Sequence, residues 1–469
     1  MTVAGLVFSP LFQQRNIAGK IKGYVLYQLD VLSRLPDREN PVFRVQGEIL
    51  YMKIKHILTI VYLAAWLLSA CAPVTPLAPE QGIKPTLTPS RASPITKETS
   101  THAPGCTVKT TQPKANPTVQ SLLPAVTKED WAKGPVEAFV TIIEYCDFQG
   151  AGCAQVAPVL SKLQTKYPKD LRIVYRHFPL SNDDKAALAT QAAEAAGLQG
   201  KFWEMHDLLL AQQKDWTGLS VNQFQEWIVK RAGELGLDAE KFKTDMNSAK
   251  LTALAKDAFE RNAAIGMPGV PFLVVNGLPY NAPVDFPNLD TMTALMLLAQ
   301  RQFSDCPPMN VDPNKQYRAI LHTEKGDITL ELFADKAPLA VNSFIFLARN
   351  HWFDGVTFHR VIPGFVAQAG DPTGTGIGGP GYAFDNEISP DLTFDGAGVL
   401  GMANAGPGSN GSQFFITYSA VPRLNGGYSI FGKLVSGMDV LQKLTPRDPS
   451  TAMDLPAGDK ILSVEIVEK

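Results

Sequence analysis

The chain of 469 residues is 45% hydrophobic, which is enough for two or three domains with substantial cores. Its formal net charge of −2 argues against a general nucleic-acid-binding role, which would favour a basic excess. The seven histidines are scattered, so the sequence predicts no metal site, and no motif indicates a cofactor.

The N-terminal region contains a pattern typical of secretion. Residues 1–51 show no clear periodicity and are interpreted as an uncertain N-terminal extension, with Met52 as a candidate start. A basic segment from Met52 precedes an apolar run at 57–68 and small residues before Cys71. The apolar run is shorter than the ~20 residues that span a membrane. Residues 52–71 therefore resemble a bacterial lipoprotein signal peptide, with Cys71 as the lipidated residue.

A proline-rich and threonine-rich segment follows at 72–130. Because it has no sustained apolar pattern, it cannot bury a core and is predicted to be an extended tether. It would hold the following domains away from the membrane of a bacterial cell envelope. The predicted location is therefore extracytoplasmic, with a membrane anchor through the N-terminal lipid.

From residue 131 the pattern becomes that of a folded domain. An apolar run at 138–145 and a second at 171–180 predict strands, and helical patterns fill 184–264. A third predicted strand follows the loop that contains Pro271. Strands separated by long helical segments imply an α/β sheet with a helical insertion.

Residues 131–306 resemble the DsbA-like branch of the thioredoxin fold. The resemblance depends on the Asp147-Phe148-Gln149 turn, on the helical insertion and on Val270-Pro271. It implies a cis proline at Pro271, beside a redox site.

The expected Cys-x-x-Cys motif is incomplete. Its first cysteine, which would be the nucleophile at a helix N-terminus, is replaced by Gly150, and Cys153 has the second position. Cys146 is a candidate partner for Cys153, as a disulfide or a redox pair. The alternative is a degenerate domain that binds extended peptide beside Pro271 without exchanging disulfides.

Two further cysteines flank this domain. Cys106 lies in the predicted tether and Cys306 lies at the end of the domain. In an oxidising compartment the two are expected to form a structural disulfide. The segment around Cys106 would then lie against the thioredoxin-like domain.

After a predicted linker at 307–316, two long motifs dominate the last third of the chain. They read FHRVIPGFVAQAGD at 358–371 and MANAGPGSNGSQFFI at 402–416. Together with the glycine-rich segment between them, they resemble the cyclophilin family of peptidyl-prolyl isomerases over 317–469. The resemblance implies a closed β-barrel with flanking helices and an isomerase of X-Pro bonds in unfolded or extended polypeptides.

The resemblance also implies roles for individual residues. The residues expected to be catalytic are Arg360, Phe365, Gln368 and Phe415. The residues expected to bind substrate are Val366, Ala403, Asn404, Gln413, Leu424 and Tyr428. The apolar members would hold the proline ring, and Ala403, Asn404 and Gln413 would border a groove for the residue before it. Arg423 and Tyr428 depart from the best-known eukaryotic pattern, which often has tryptophan and histidine there.

Three functional hypotheses follow. The first is an active isomerase, favoured by the complete set around Arg360. The second is a thiol-disulfide oxidoreductase with an accessory barrel, which Gly150 weakens. The third is a non-catalytic peptide-binding chaperone.

Overall fold

The computed structural model describes residues 105–109, 123–451 and 455–469. The predicted N-terminal extension, the predicted signal peptide with Cys71 and most of the predicted tether lie outside these ranges. In the described ranges, no helix is long and apolar enough to cross a membrane.

The described strands and helices are numbered here in chain order. The strands are β1 (Cys106–Val108), β2 (Trp131–Lys133), β3 (Val140–Cys146), β4 (Leu171–His177), β5 (Phe272–Val275), β6 (Leu278–Pro279), β7 (Tyr317–Thr323), β8 (Gly326–Leu332), β9 (Arg360–Ile362), β10 (Val366–Ala369), β11 (Tyr382–Phe384), β12 (Val399–Met402), β13 (Phe414–Thr417), β14 (Ile430–Ser436) and β15 (Ile461–Glu468). The helices are α1 (Ala151–Lys166), α2 (Ala186–Gly197), α3 (Phe202–Ala211), α4 (Gln213–Trp216), α5 (Val221–Glu234), α6 (Ala239–Met246), α7 (Ala249–Ile265), α8 (Phe286–Leu298), α9 (Pro338–Arg349) and α10 (Met438–Gln442).

A five-stranded sheet in the order β2-β4-β3-β5-β6 forms the first folded region. The central strands β3 and β4 run parallel. Their mainly apolar sequences are explained by burial on both faces. Val140 and Ile142 pack with α1 and α8, whereas Ile143 and Tyr145 pack with residues around 123–126 and with α7. Helices α2–α7 form an insertion between β4 and β5, so the region is a thioredoxin-like α/β domain with the predicted helical insertion.

The second folded region is built on an eight-stranded antiparallel sheet. Its order is β15-β7-β8-β14-β12-β13-β10-β9, and helix α9 packs into the core on its inner face. Helix α9 begins at Pro338, whose fixed φ suits the first helical turn. The edge strands β15 and β9 share no ladder in the described residues. The sheet is therefore a curled half-barrel, and strand pairing does not confirm the predicted closure.

The segment around Cys106 lies against the second region, so the expected contact with the thioredoxin-like domain is wrong. Strand β1 pairs antiparallel with β11, and Cys106 is opposite Phe384. Strand β11 belongs to neither large sheet, so its backbone groups are available to β1. The sulfur atoms of Cys106 and Cys306 lie at bonding distance, with Cα atoms 6.1 Å apart.

The chain between α8 and the second region runs along that same wall. Phe303 donates its backbone N–H to the carbonyl of Pro380, and the guanidinium of Arg301 donates to the carbonyl of Trp352. Leu298 and Cys306 are part of the second core. The exact domain boundaries and the linker predicted at 307–316 remain predictions.

The last part of the predicted tether is also held in place. Arg176 donates to the carboxylate of Asp130 and to the carbonyl oxygens of Pro124 and Ala125. Its hydrogen bond with Asp130 raises the pKa of Arg176 against the opposing effect of burial. Residues 124–130 are therefore fixed to the first sheet by one half-buried cation.

Candidate active site

The residues predicted to hold a proline ring come together in one apolar cluster of the second region. They are Phe365, Val366, Phe415, Leu424 and Tyr428, and Ala403, which was predicted to border the groove, packs against the same cluster. Val366 and Phe415 are buried, and the other four are half-buried. The rings of Phe415 and Tyr428 meet edge to face with centroids 5.7 Å apart. The cluster is therefore an apolar slot that stays partly open to solvent.

Strand register aligns the predicted polar residues with this slot. Gln368 of β10 is directly opposite Arg360 of β9 on one side and Phe415 of β13 on the other. Residues directly opposite in a ladder have side chains on the same face of the sheet. Arg360, Gln368 and Phe415 consequently form a row across three strands, although they are far apart in the chain.

Two features of the slot were missed by sequence reasoning. Gly401 of β12 is opposite Phe415, and a Cβ atom at Gly401 would be 2.7 Å from the phenyl ring. Phe394 stacks on Phe415 with centroids 5.4 Å apart and an interplanar angle of 28°. The absence of a side chain at Gly401 therefore provides the space that the Phe415 ring occupies. A glycine within an apolar strand was the available signal.

Arg360 is the cation of the row. Its guanidinium carbon lies 5.4 Å from the ring centroid of Phe365. Within the described residues it has no hydrogen-bond or ion-pair partner, so its donors can face a substrate. Asp448 has a lowered pKa, mainly through hydrogen bonds from Ser450 and to a lesser extent through the charge of Arg360.

Gln368 and Gln413 are linked to each other. The amide nitrogen of Gln368 donates to the side-chain oxygen of Gln413 over 3.0 Å. Gln413 in turn donates to the carbonyl oxygens of Gly376 and Gly378, each over 2.9 Å. This chain of bonds leaves the carbonyl oxygen of Gln368 available to accept from a substrate backbone.

A groove of about 370 Å³ adjoins the slot. Its walls include Gln368, Ala403, Asn404 and Gln413, which are the residues expected there, together with the loop at 376–380. The Asn404 amide nitrogen donates to the side-chain oxygens of Asn386 and Asn410, both over 3.2 Å. The groove is therefore built from polar side chains whose orientations are set by neighbours.

Asp371 organises the loop that forms one wall of the groove. Its carboxylate is fully buried and accepts from the hydroxyls of Thr373 and Thr375 and from the N–H groups of Gly376 and Gly378. The sequence predicted no role for Asp371 beyond its place in the cyclophilin-like motif. Its Asp-Pro-Thr-Gly pattern is typical of a carboxylate that closes local turns.

His359, directly before Arg360, is a packed residue. It is 2% exposed, and neither ring nitrogen has a hydrogen-bond partner among the described residues. Burial lowers its pKa, which favours the neutral ring. In the part of the chain that the structure describes, no group of three or more potential ligands could hold a metal ion.

Comparison with known proteins agrees with this geometry. Residues 318–466 match the family model for cyclophilin type peptidyl-prolyl cis-trans isomerases, and residues 126–293 match a thioredoxin family model. Peptidyl-prolyl cis-trans isomerase A of Mycobacterium tuberculosis is 43% identical over 166 residues, which are 32% of this chain and 90% of that protein. The chain therefore belongs, through its last third, to the cyclophilin-type peptidyl-prolyl isomerase family.

Two other similarities cover the same region. Peptidyl-prolyl cis-trans isomerase ppi1 of Schizosaccharomyces pombe is 52% identical over 127 residues, which are 26% of this chain and 82% of that protein. A crystal structure of a cyclophilin type isomerase from Cryptosporidium parvum, in the presence of the dipeptide Ala-Pro, is 42% identical. That match covers 32% of this chain and 98% of the other chain, with a TM-score of 0.30.

The three predicted redox residues are also brought together, in the first region. The sulfur atoms of Cys146 and Cys153 lie at bonding distance, with Cα atoms 5.8 Å apart. Cys146 ends β3 and Cys153 is the third residue of α1, and both are buried. A Cβ atom on Gly152 would be 2.7 Å from the ring of Pro271, which follows a cis peptide bond. The start of α1 therefore packs directly on Pro271.

Buried acids surround this second site. Glu144 is 2% exposed, and burial raises its pKa to about 8. Burial also raises the pKa of Asp147 to about 7, against two backbone N–H groups that donate to its carboxylate. Glu144 and Asp147 lie two residues before and one residue after Cys146 in the chain, so this cysteine is flanked by two acids with raised pKa values.

Proposed function

We propose that this protein isomerises X-Pro bonds in unfolded or extended extracytoplasmic polypeptides. The observation that carries the proposal is the row of Arg360, Gln368 and Phe415 beside the apolar slot. The slot supplies space for a proline ring, and the row supplies one cation and one amide at its edge. None of the side chains named in this site is proposed as a nucleophile, and rotation about the X-Pro bond requires none.

The chemistry follows from the barrier to amide rotation. Resonance gives an amide bond a barrier of about 18–20 kcal/mol, and each ~1.36 kcal/mol removed from it raises the rate tenfold. At the transition state the amide is twisted and its nitrogen regains a lone pair. A fixed guanidinium aimed at that nitrogen binds the twisted amide better than either planar isomer. Arg360 suits this role because guanidinium remains charged and presents a planar set of donors.

The other residues of the site would position the substrate. The slot around Phe415 would hold the proline ring by apolar contact, while Gln368 would accept from the substrate backbone. The residue before proline would enter the groove beside Ala403 and Gln413. Holding both sides of the bond allows rotation to be confined to the amide itself.

We also propose that the second sheet closes into the barrel expected of the family. Thr357, just before β9, forms an isolated bridge with Lys460, just before β15. The backbone N–H of Gly355 donates to the carbonyl of Ile461, and the backbone N–H of Ile461 donates to the carbonyl of Val356. These bonds between the ends of the two edge strands support closure.

The thioredoxin-like region is proposed to be a DsbA-like accessory domain with a structural Cys146–Cys153 disulfide. Disulfide exchange is the second candidate function, favoured by the bonding distance between these sulfur atoms beside Pro271. Burial of both sulfur atoms and glycine at position 150 argue for slow exchange. A peptide-binding chaperone role without catalysis is the remaining alternative. Cys106 and Cys306 are proposed to form the second disulfide.

The proposed location is the outside of a bacterial membrane, with lipid attached to Cys71. The proposal is supported by the basic, apolar and small-residue order of 52–71 and by four described cysteines paired at bonding distance. Mass spectrometry of the mature N-terminus from native membranes tests it. A product that retains residues 52–70 would contradict it.

The isomerase proposal is tested by a protease-coupled assay with a prolyl peptide and the purified protein. The uncatalysed bond isomerises in roughly 10–100 s, so catalysis appears as a faster phase that grows with protein concentration. A rate equal to that of buffer at every protein concentration would contradict the proposal.

A further inference from the structure

Arg423 places a second cation at the proline slot. It lies on the short 3-10 helix Pro422–Leu424 and is exposed to solvent. Its guanidinium carbon is 4.4 Å from the ring centroid of Phe365, closer than the 5.4 Å of Arg360 to the same ring. The aromatic ring that borders the slot is therefore contacted by two guanidinium groups.

Among the described residues, Arg423 has neither an ion pair nor a hydrogen-bond partner, whereas many other surface cations are paired with carboxylates. The named residues of the slot and groove are apolar or neutral apart from Arg360. A substrate that enters the slot therefore meets two guanidinium groups at this edge, of which Arg360 also acts on the carboxylate of Asp448.

The position of Arg423 along the strands decides which part of the substrate it meets. Along β10, Gln368 is the last residue but one and lines the groove, whereas Phe365 directly precedes the first residue, Val366. The two positions are three residue steps apart along the strand, which corresponds to roughly 10 Å. Arg423 lies over Phe365 and directly before Leu424 of the slot, and it does not line the groove. A peptide whose residue before proline occupied the groove would therefore leave the slot on the side of Arg423.

We propose that Arg423 is a specificity-determining residue that selects substrates with an acidic residue directly after proline. A glutamate or aspartate there would reach the guanidinium while the proline ring remains in the slot. Because both groups are exposed, the preference should be modest, roughly two- to fivefold in kcat/KM. It should also weaken with salt, since the Debye length falls from about 30 Å at 0.01 M to about 3 Å at 1 M. The inference depends on the proposed isomerase function.

The experiment compares matched peptides on the full-length protein. Exchange between cis and trans forms is measured by NMR, which needs no protease and so permits any residue after proline. One pair of peptides has glutamate or glutamine directly after proline, and a second pair has the same exchange two residues before proline. The quantity compared is the ratio of kcat/KM for the glutamate peptide to that for the glutamine peptide.

Three substitutions of Arg423 separate charge from shape. Arg423→Gln should reduce the ratio for the first pair to about one, Arg423→Lys should retain a ratio above one, and Arg423→Glu should bring it below one. Arg318→Gln, at an exposed arginine on β7, is the matched control and should keep the wild-type ratio. Raising the salt concentration should move the wild-type ratio towards one.

The possible results distinguish this inference from the proposed function. Catalysis of all peptides with no glutamate preference after proline would overturn the role of Arg423 and leave the isomerase proposal intact. A preference that Arg423→Gln keeps, or that occurs only before proline, would overturn it as well. Absence of catalysis on every peptide would overturn the proposed function and this inference with it.

Discussion

Arg360 is the residue on which the proposed chemistry depends most. Its side chain is half-buried beside Phe365 and has no hydrogen-bond or ion-pair partner among the described residues, so its charge is available to a substrate in the slot. Arg360→Ala should lower kcat/KM by roughly a hundredfold, which is the typical cost of removing one electrostatic donor from an active site. The prolyl-peptide assay measures this loss.

The fold should survive that substitution, because the Arg360 side chain forms no hydrogen bond or ion pair with another described residue, and alanine keeps the backbone pairing of β9 with β10. Circular dichroism of Arg360→Ala should match wild type, and Arg318→Ala serves as a control for loss of an exposed arginine. Equal isomerase activity in Arg360→Ala and wild type would show that the row across β9, β10 and β13 is not the catalytic centre.

Glu144 should make the stability of the thioredoxin-like domain depend on pH. Burial raises its pKa from 4.5 to about 8, so the folded state binds more protons than the unfolded state between these values. The free energy of unfolding should therefore fall as pH rises from about 5 to about 8. Glu144→Gln removes the titration, so the variant should become more stable relative to wild type as the pH increases.

Urea unfolding of this domain at pH 5 and pH 8 measures the effect. Glu137→Gln, at an exposed position, is the control and should change neither value. A residual slope is expected in Glu144→Gln because Asp147 also has a raised pKa, of about 7. An unchanged difference between wild type and Glu144→Gln at the two pH values would contradict the prediction.

At the scale of elements, the sequence was informative wherever apolar runs were long. Strands β3 and β4 are buried on both faces, and their continuous apolar segments predicted them directly. Strand β1 could not be found in the same way. It has three residues, lies in a proline-rich segment and pairs with a strand far along the chain. Strand β1 forms because it pairs with the open edge of β11, and no local pattern in residues 105–109 predicts that pairing.

Helix α1 explains why position 150 matters for redox chemistry. Gly150 is the N-cap of α1, where the helix dipole would lower the pKa of a thiol. A Cβ atom there would be 3.2 Å from the carbonyl of Asp147 and 3.4 Å from Val270, so a side chain fits with small shifts. Gly150→Cys should therefore create disulfide-exchange activity with Cys153.

The substitution is best made together with Cys146→Ser, which frees Cys153 from its present neighbour. Insulin reduction should be slow with wild type and several-fold faster with the double variant, while Cys146→Ser alone should stay slow. Fast turnover by wild type that is lost in Cys146→Ser would instead identify Cys146 and Cys153 as a working redox pair.

At the scale of the whole molecule, β1 and the segment 301–306 form a common support for the candidate active site. Strand β1 pairs with β11, whose Tyr382 lines the groove, and Phe303 bonds to Pro380 in the same wall. Cys106 and Cys306 connect the two supporting segments. The chain before the thioredoxin-like domain and the chain after it therefore meet at the isomerase groove.

Removing this connection should lower stability more than removing the other cysteine pair. Cys106 and Cys306 are 200 residues apart, so the chain-entropy relation gives a stabilisation of roughly 5 kcal/mol. Cys146 and Cys153 are 7 residues apart, for which the same relation gives roughly 2 kcal/mol. Alanine at both members of each pair is the matched comparison, and guanidinium unfolding measures the free energies.

The first double variant should also release β1 from the wall of the groove. Limited proteolysis should then cut near 105–109 faster in Cys106→Ala/Cys306→Ala than in wild type, whereas Cys146→Ala/Cys153→Ala should leave that rate unchanged. Because Tyr382 on β11 then loses its neighbouring strand, kcat/KM for prolyl peptides should fall in the first variant only. Equal stability and equal cleavage in both double variants would mean that Cys106 and Cys306 do not form a disulfide in solution.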